Sequence, residues 1–320
     1  LFMMPSRFTD TLFQLVHSLE KAEKRNFKLY IKRSSSNEDL KIIELLDALD
    51  KLDEYDEAVL LKKLISIKKP QRSNTKVHLY KQLLASLRLL KSTDSIDMQL
   101  NEQLDYARIL YNKGLYQQSL KILEKAKETA KEHYKYNFLT QIISWEKKIE
   151  TLHITRSMQD KGTILANEAV EVNIRVDMVA RMSNLALQLY SFYIKNGHAR
   201  NEKDEIGVTV FFNKNMPENA SMQTGFYERL YLYQSYCWYA FIRQDFLMYY
   251  RYAQKWNNIF NEQPLMIKVE TGYYIKGLHN LLNAHFDLRN FKGFEITLKE
   301  FKEFAATPLA NHHDNHRIQT

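Results

Sequence analysis

Glycine and proline let a chain turn sharply, and this chain has few of them. It carries 8 Gly and 5 Pro among 320 residues, 13 together and about 4%, where average usage is roughly 12%. Sandwiches, barrels and doubly wound sheets need turn residues about every 8–12 positions. So sparse a supply predicts an all-α chain of long helices, about three-quarters helical. It also removes the glycine-rich loops that cradle phosphates and cofactors. No GxGxxG, GxxxxGK[ST], HExxH or CxxC pattern is present.

The remaining composition narrows the class further. The single cysteine, Cys237, excludes a disulfide framework and suits a reducing compartment, so a cytoplasmic protein is expected. Mean hydropathy is −0.47, and no run of about 18 apolar residues could form a membrane helix. The opening LFMMPSRFTD lacks the charged-then-apolar pattern of a secretory leader. Net charge is +8 (46 basic minus 38 acidic residues), which permits acidic partners.

Apolar spacing places the elements. Residues 1–93 read as an N-terminal helical section. Ser6 caps a helix to about Ile31, a second carries Leu40, Ile43, Leu46 and Leu49, and a third runs from Glu54 to Ile67. Pro70 breaks the chain, and Ser73-Asn74 caps a fourth helix with Val77, Tyr80, Leu84 and Leu87 in phase. From 94 to 320 the pattern becomes helix–turn–helix. Ile96, Leu100, Leu104, Ala107 and Tyr111 step by 4, 4, 3 and 4, one face of a 3.6-residue period. Gly162-Thr163 opens a helix of roughly 30 residues ending at Asn196-Gly197. Residues 201–222 read as helix followed by loop, with a small strand insertion as the alternative. Turns at Gly114, Gly197, Gln244 and Arg289 lie 83, 47 and 45 residues apart, and the gap of 83 holds one further unit of about 41. That period describes about five stacked helical hairpins, an α-solenoid. The segment after Pro308 reads as a helix stopped early, so a continuation past Thr320, or another chain covering this end, is expected.

The segment Ala107–Ala126 resembles a tetratricopeptide repeat. Ala107, Ser119 and Ala126 match its small positions, Gly114 and Tyr116 its turn and following aromatic, and Leu110 and Leu123 its packing positions. Gln103 and Lys131 depart from it, standing where the motif prefers Trp and Pro. Cys237 and the Asn290-Phe291 turn echo the motif in later units, while the unit around Gly197 does not fit it. Leu12–Tyr30 is similar to the opening of uncharacterised bacterial repeat proteins of this kind. The resemblance implies a right-handed superhelix that binds peptides or protein segments on its concave face and is not an enzyme. In such proteins the first helix of each pair lines the groove. That implies partner contacts from Asn101, Asp105, Arg108 and Asn112, where Arg108 and Asn112 sit one turn apart and suit a carboxylate or a peptide backbone.

Three further constellations compete with plainer readings. Aromatics crowd residues 226–260, with Tyr227, Tyr231, Trp238 and Phe241 on one helical face; they read as repeat core or as a Tyr-lined peptide groove. Residues 38–57 hold nine acids and two lysines, whereas 58–93 hold nine basic residues and no acid, among them Lys62, Lys63, Lys68, Lys69, Arg72 and Lys76. This is either a nucleic-acid face or a block compensated by the acidic helix beside it. His312, His313 and His316 include an i, i+4 pair, but nothing around them supports a metal. His279 and His285 do not share a helical face, and Cys237 reads as a small buried hydrophobe. The expectation is therefore a non-catalytic scaffold that binds a peptide or protein segment, without cofactor, metal or membrane. A nucleic-acid-associated regulator using the basic stretch is the alternative.

Overall fold

The computed structural model describes residues 11–32, 37–64, 71–91, 95–153, 160–222 and 224–310. Of the described residues 86% are helical and none is in a strand. Residue contacts divide it into two compact units, Leu1–Gln99 and Leu100–Thr320.

The first unit holds α1 (Thr11–Ser18), α2 (Lys21–Lys32), α3 (Asn37–Asp50), α4 (Glu57–Lys63) and α5 (Arg72–Leu90). Its core is aliphatic apart from one aromatic ring: Val16, Phe27, Ile42, Leu45, Leu46, Leu49, Leu60, Leu79 and Leu83. The single first helix expected from the spacing is two helices. The backbone N–H of Glu20 donates to the Glu23 carboxylate at 2.8 Å, which starts α2 afresh. The third helix is shorter than expected, because the Asp56 carboxylate accepts from the N–H groups of Ala58 and Val59 and sets its start at Glu57. Ser6, Pro70 and the histidines at 312, 313 and 316 lie outside the described residues.

The second unit contains α6 (Ile96–Asn112) from Leu100 onward, α7 (Tyr116–Glu132), α8 (Tyr136–His153), α9 (Lys161–Asn196), α10 (Glu202–Asn215), α11 (Phe226–Arg243), α12 (Phe246–Glu262), α13 (Leu265–Val269), α14 (Thr271–Asp287) and α15 (Phe291–Ala305). Each main helix packs on the next: α7 on α8, α8 on α9, α9 on α11, α11 on α12, α12 on α14 and α14 on α15. Residues 201–222 are helix α10 followed by a short 3-10 turn at Ala220–Met222. Helix α10 leaves the succession and packs on α9 and α11 through Val208 and Phe212.

Four chain reversals share one hydrogen-bond pattern. At Gly114, Tyr134, Gln244 and Arg289 the backbone enters the left-handed region, with φ of 75, 54, 58 and 54°. The next N–H then donates to a carbonyl five residues back: Leu115 to Leu110, Lys135 to Ala130, Asp245 to Ala240 and Asn290 to His285, at 2.8–3.0 Å. This is the Schellman closure, which satisfies carbonyls that the helix end leaves free. Only one of the four positions is glycine. The side chains of Asp245 and Asn290 then cap the following helices on the N–H groups of Met248 and Gly293.

A buried charge cluster ties α7, α8 and α9. The Lys127 ammonium pairs with Glu146, almost fully buried, and with Glu168 at 2.8 Å, while Lys131 pairs with Glu168 at 2.5 Å. Burial opposes the Lys127 charge, yet its two carboxylates hold its pKa above the ordinary value.

Two stability outcomes follow. Arg289→Gly relieves a left-handed residue and raises unfolding free energy by about 1 kcal/mol, whereas Gly114→Ala lowers it by a similar amount; urea denaturation reads both. Lys127→Met leaves Glu146 buried and unpaired and costs about 3–5 kcal/mol in the same assay.

Candidate functional site

The second unit holds a half-open pocket of about 240 Å³ among α9, α11, α12 and α14. One wall comes from α11, where Gln234, Trp238 and Phe241 follow at i, i+4 and i+7 and share a face. Tyr193 of α9 extends this wall, its ring 5.7 Å from Trp238 and 5.2 Å from Phe241. The facing wall is α14, where Lys276, Asn280 and Asn283 repeat the same spacing beside His279. Tyr249 and Trp256 of α12 and the buried Cys237 complete the lining.

The position of α14 is fixed from α12. The Trp256 indole N–H donates to the Tyr273 carbonyl at 3.1 Å. The Asn257 amide donates to the carbonyls of Ala253 and Gly277, both at 2.9 Å. A Cβ at Gly277 would stand 3.0 Å from Asn257 and from the Trp256 ring, tighter than ordinary packing. Glycine therefore admits α12 against α14, and the polar face of α14 is turned toward α11.

The electrostatics of the pocket are one-sided. No Asp or Glu lines it. Partial desolvation lowers the Lys276 pKa although its side chain remains exposed, and among the described residues no carboxylate lies within ion-pair distance of its ammonium. His279 is held below the ordinary histidine value, first by burial and then by the neighbouring Lys276 charge. Burial pushes the Cys237 thiol well above its usual range, which removes it as a nucleophile. The Tyr249 hydroxyl is likewise raised, by burial first. The arrangement offers aromatic surface, amides, a neutral imidazole and one cation.

The residues singled out from the sequence divide among three places. Trp238 lines the pocket. Tyr227 and Tyr231 lie on the same face of α11, but their hydroxyls are engaged by Glu270 and by Tyr273 at 3.2 Å. Arg108 and Asp105 of α6 pair with each other at 3.3 Å. The Arg108 guanidinium also lies 5.9 Å from the Trp145 ring, and Lys148 sits 4.7 Å from both Trp145 and Tyr111. Asn101 and Asn112 are exposed on α6. The basic stretch belongs to the first unit. Lys63 is exposed at the end of α4, and Lys76 donates to the Tyr55 hydroxyl at 2.8 Å, with Glu57 at 3.8 Å. Lys68 and Lys69, and the side chains of Lys62 and Arg72, lie outside the described residues. The acidic helix α3 packs on α5, but its Asp47 and Asp50 pair with Lys28 and Lys24 of α2.

Lys276, Asn280 and Asn283 were not singled out by the sequence reading, since polar residues along a helix look like a solvated face. Their only signal is the i, i+4, i+7 repeat beside buried Gly277 and Leu278. Among the described residues no cluster of His, Cys, Asp and Glu could hold a metal, and no helix is long and apolar enough to cross a membrane. No protein-family model, curated protein or solved structure matches the chain.

His285, on another face of α14 from His279, is buried with its Nδ1 unpartnered. Burial holds its folded pKa below the unfolded value. The unfolded chain thus binds more protons, and stability falls as pH drops below about 6.5. Denaturation at neutral and mildly acidic pH should show this fall, and His285→Gln should lessen it, the remainder coming from His279.

Proposed function

We propose that the protein is a non-catalytic scaffold, whose second unit is a tetratricopeptide-like helical-repeat array that binds a peptide or protein segment. The pocket between the α11 and α14 faces carries this reading. Its aromatic wall offers the anchoring surface on which binding energy concentrates, and its amides and cation supply orientation. The repeated Schellman reversals and the packing of each helix on the next support the repeat-array assignment. The Ser119 hydroxyl, buried and donating to the Ala107 carbonyl at 2.8 Å, supports the resemblance at two of its small positions. The one thiol of the pocket, Cys237, is held well above its usual range by burial, which favours binding over thiolate catalysis. A single buried cysteine suits a reducing compartment, and the reading places the protein in the cytoplasm.

The nucleic-acid alternative is less favoured, because Lys76 and Lys91 of the basic stretch are engaged by Glu57 and Glu23.

Panning a random-peptide display library against the full chain tests the proposal. A consensus sequence is expected, and a synthetic consensus peptide should lose about 2 kcal/mol of affinity on Trp238→Ala. Lys63→Ala should change nothing. Failure to enrich any sequence, or affinity indifferent to Trp238, would overturn the reading. Far-UV circular dichroism of each variant controls for folding.

A further inference from the structure

The pocket has a polarity along its length. Tyr193, Trp238 and Phe241 converge at one wall, with the Trp238 and Phe241 rings 6.0 Å apart and edge-on. Lys276 and Asn283 stand on the other wall. The Asn283 amide lies 3.4 Å from the His279 ring nitrogen. At about 240 Å³ the pocket is below the size typical for drug-sized ligands, and it matches one ring with a short substituent.

Charge decides the substituent. Lys276 and Asn283 are exposed at the open edge of the pocket, and no acid stands among the lining residues to offset the ammonium. Donor groups on the same wall (the Lys276 ammonium and the Asn283 amide) complement an anion, and the planar carboxylate accepts from two such donors at once. A cationic ligand would meet Lys276 with no acid to offset it, and a neutral one would gain nothing from its charge.

We propose that this pocket binds an aryl carboxylate, its ring against Tyr193, Trp238 and Phe241 and its carboxylate on Lys276 and Asn283. Such a group is presented by a free aromatic acid or by the C-terminal aromatic residue of a peptide. The assignment rests on the binding reading above and gives it a ligand chemistry.

Isothermal titration of the full chain tests it, using 3-phenylpropionate, 3-phenylpropionamide, the tripeptide acetyl-Gly-Gly-Phe with a free carboxylate, and its amide. At least one of the two acids should bind at least about tenfold more tightly than its amide, as a charge-assisted contact requires. Lys276→Met should remove that difference, with Lys276→Gln as a second variant, and Trp238→Leu should weaken acid and amide alike. Binding of the free acid alone identifies a small-molecule site, and equal binding of the tripeptide identifies a peptide terminus; both support the carboxylate assignment. Acids no tighter than their amides, or discrimination that survives in Lys276→Met, would overturn it. So would no binding of any probe at about 10 mM. A negative titration beside successful peptide panning would reject the carboxylate chemistry and leave the scaffold reading standing. The reverse pattern would reject the scaffold alone.

Discussion

The close approach of α12 to α14 is the contact on which the site depends. Trp256 and Asn257 are buried side by side on α12, and both spend their N–H groups on carbonyls of α14. Buried polar groups must be satisfied, so these bonds fix the rotation of α14 as well as its distance. Gly277 makes the approach sterically possible. With the rotation fixed, Lys276, Asn280 and Asn283 face α11 across a gap. The pocket is then a consequence of core packing and needs no specialised loop. Helix-borne sites of this kind are held more precisely than loop-borne ones.

Elsewhere in the second unit, charge replaces apolar packing as the device that selects one arrangement. Lys127 draws one carboxylate from α8 and one from α9. Glu228, fully buried at the start of α11, has Arg175 of α9 at 3.6 Å and the Tyr136 hydroxyl of α8 at 3.5 Å. Burial raises the Glu228 pKa, against the lowering effects of its backbone hydrogen bond and of Arg175. Such clusters add little net stability relative to well-packed apolar groups, yet they penalise any shift that separates the partners. A series of helices with similar apolar stripes gains register from them.

Much of this fold was legible in the sequence, for reasons that can be located. The shortage of turn residues forced long helices. The reversals at Gln244 and Arg289 were readable from spacing, although neither residue is one that favours positive φ. The reversal at Tyr134 was not readable: no Gly, Pro or Asn marks it, and only the Lys135-to-Ala130 bond reveals it. The break at Leu19-Glu20 was hidden, because apolar phase continues across it while the Glu23 carboxylate restarts the helix. The aromatic wall could be listed from the sequence, but its division could not. Tyr231 and Trp238 occupy one face of α11, and tertiary contacts alone engage the first hydroxyl and leave the second ring to the pocket. The polar wall was invisible for a simpler reason. A lysine and two asparagines on a helix acquire meaning only from the element placed opposite them.

Nuclear magnetic resonance of the three tryptophan indole N–H groups gives the most direct test of where ligands bind. Trp256 is locked to Tyr273, Trp238 lines the pocket, and Trp145 lies between Arg108 and Lys148. During titration with 3-phenylpropionate or a panned consensus peptide, the Trp238 resonance should move progressively while that of Trp145 stays in place. Movement confined to Trp145, or no movement of any indole under saturating ligand, would contradict the placement of the site between α11 and α14.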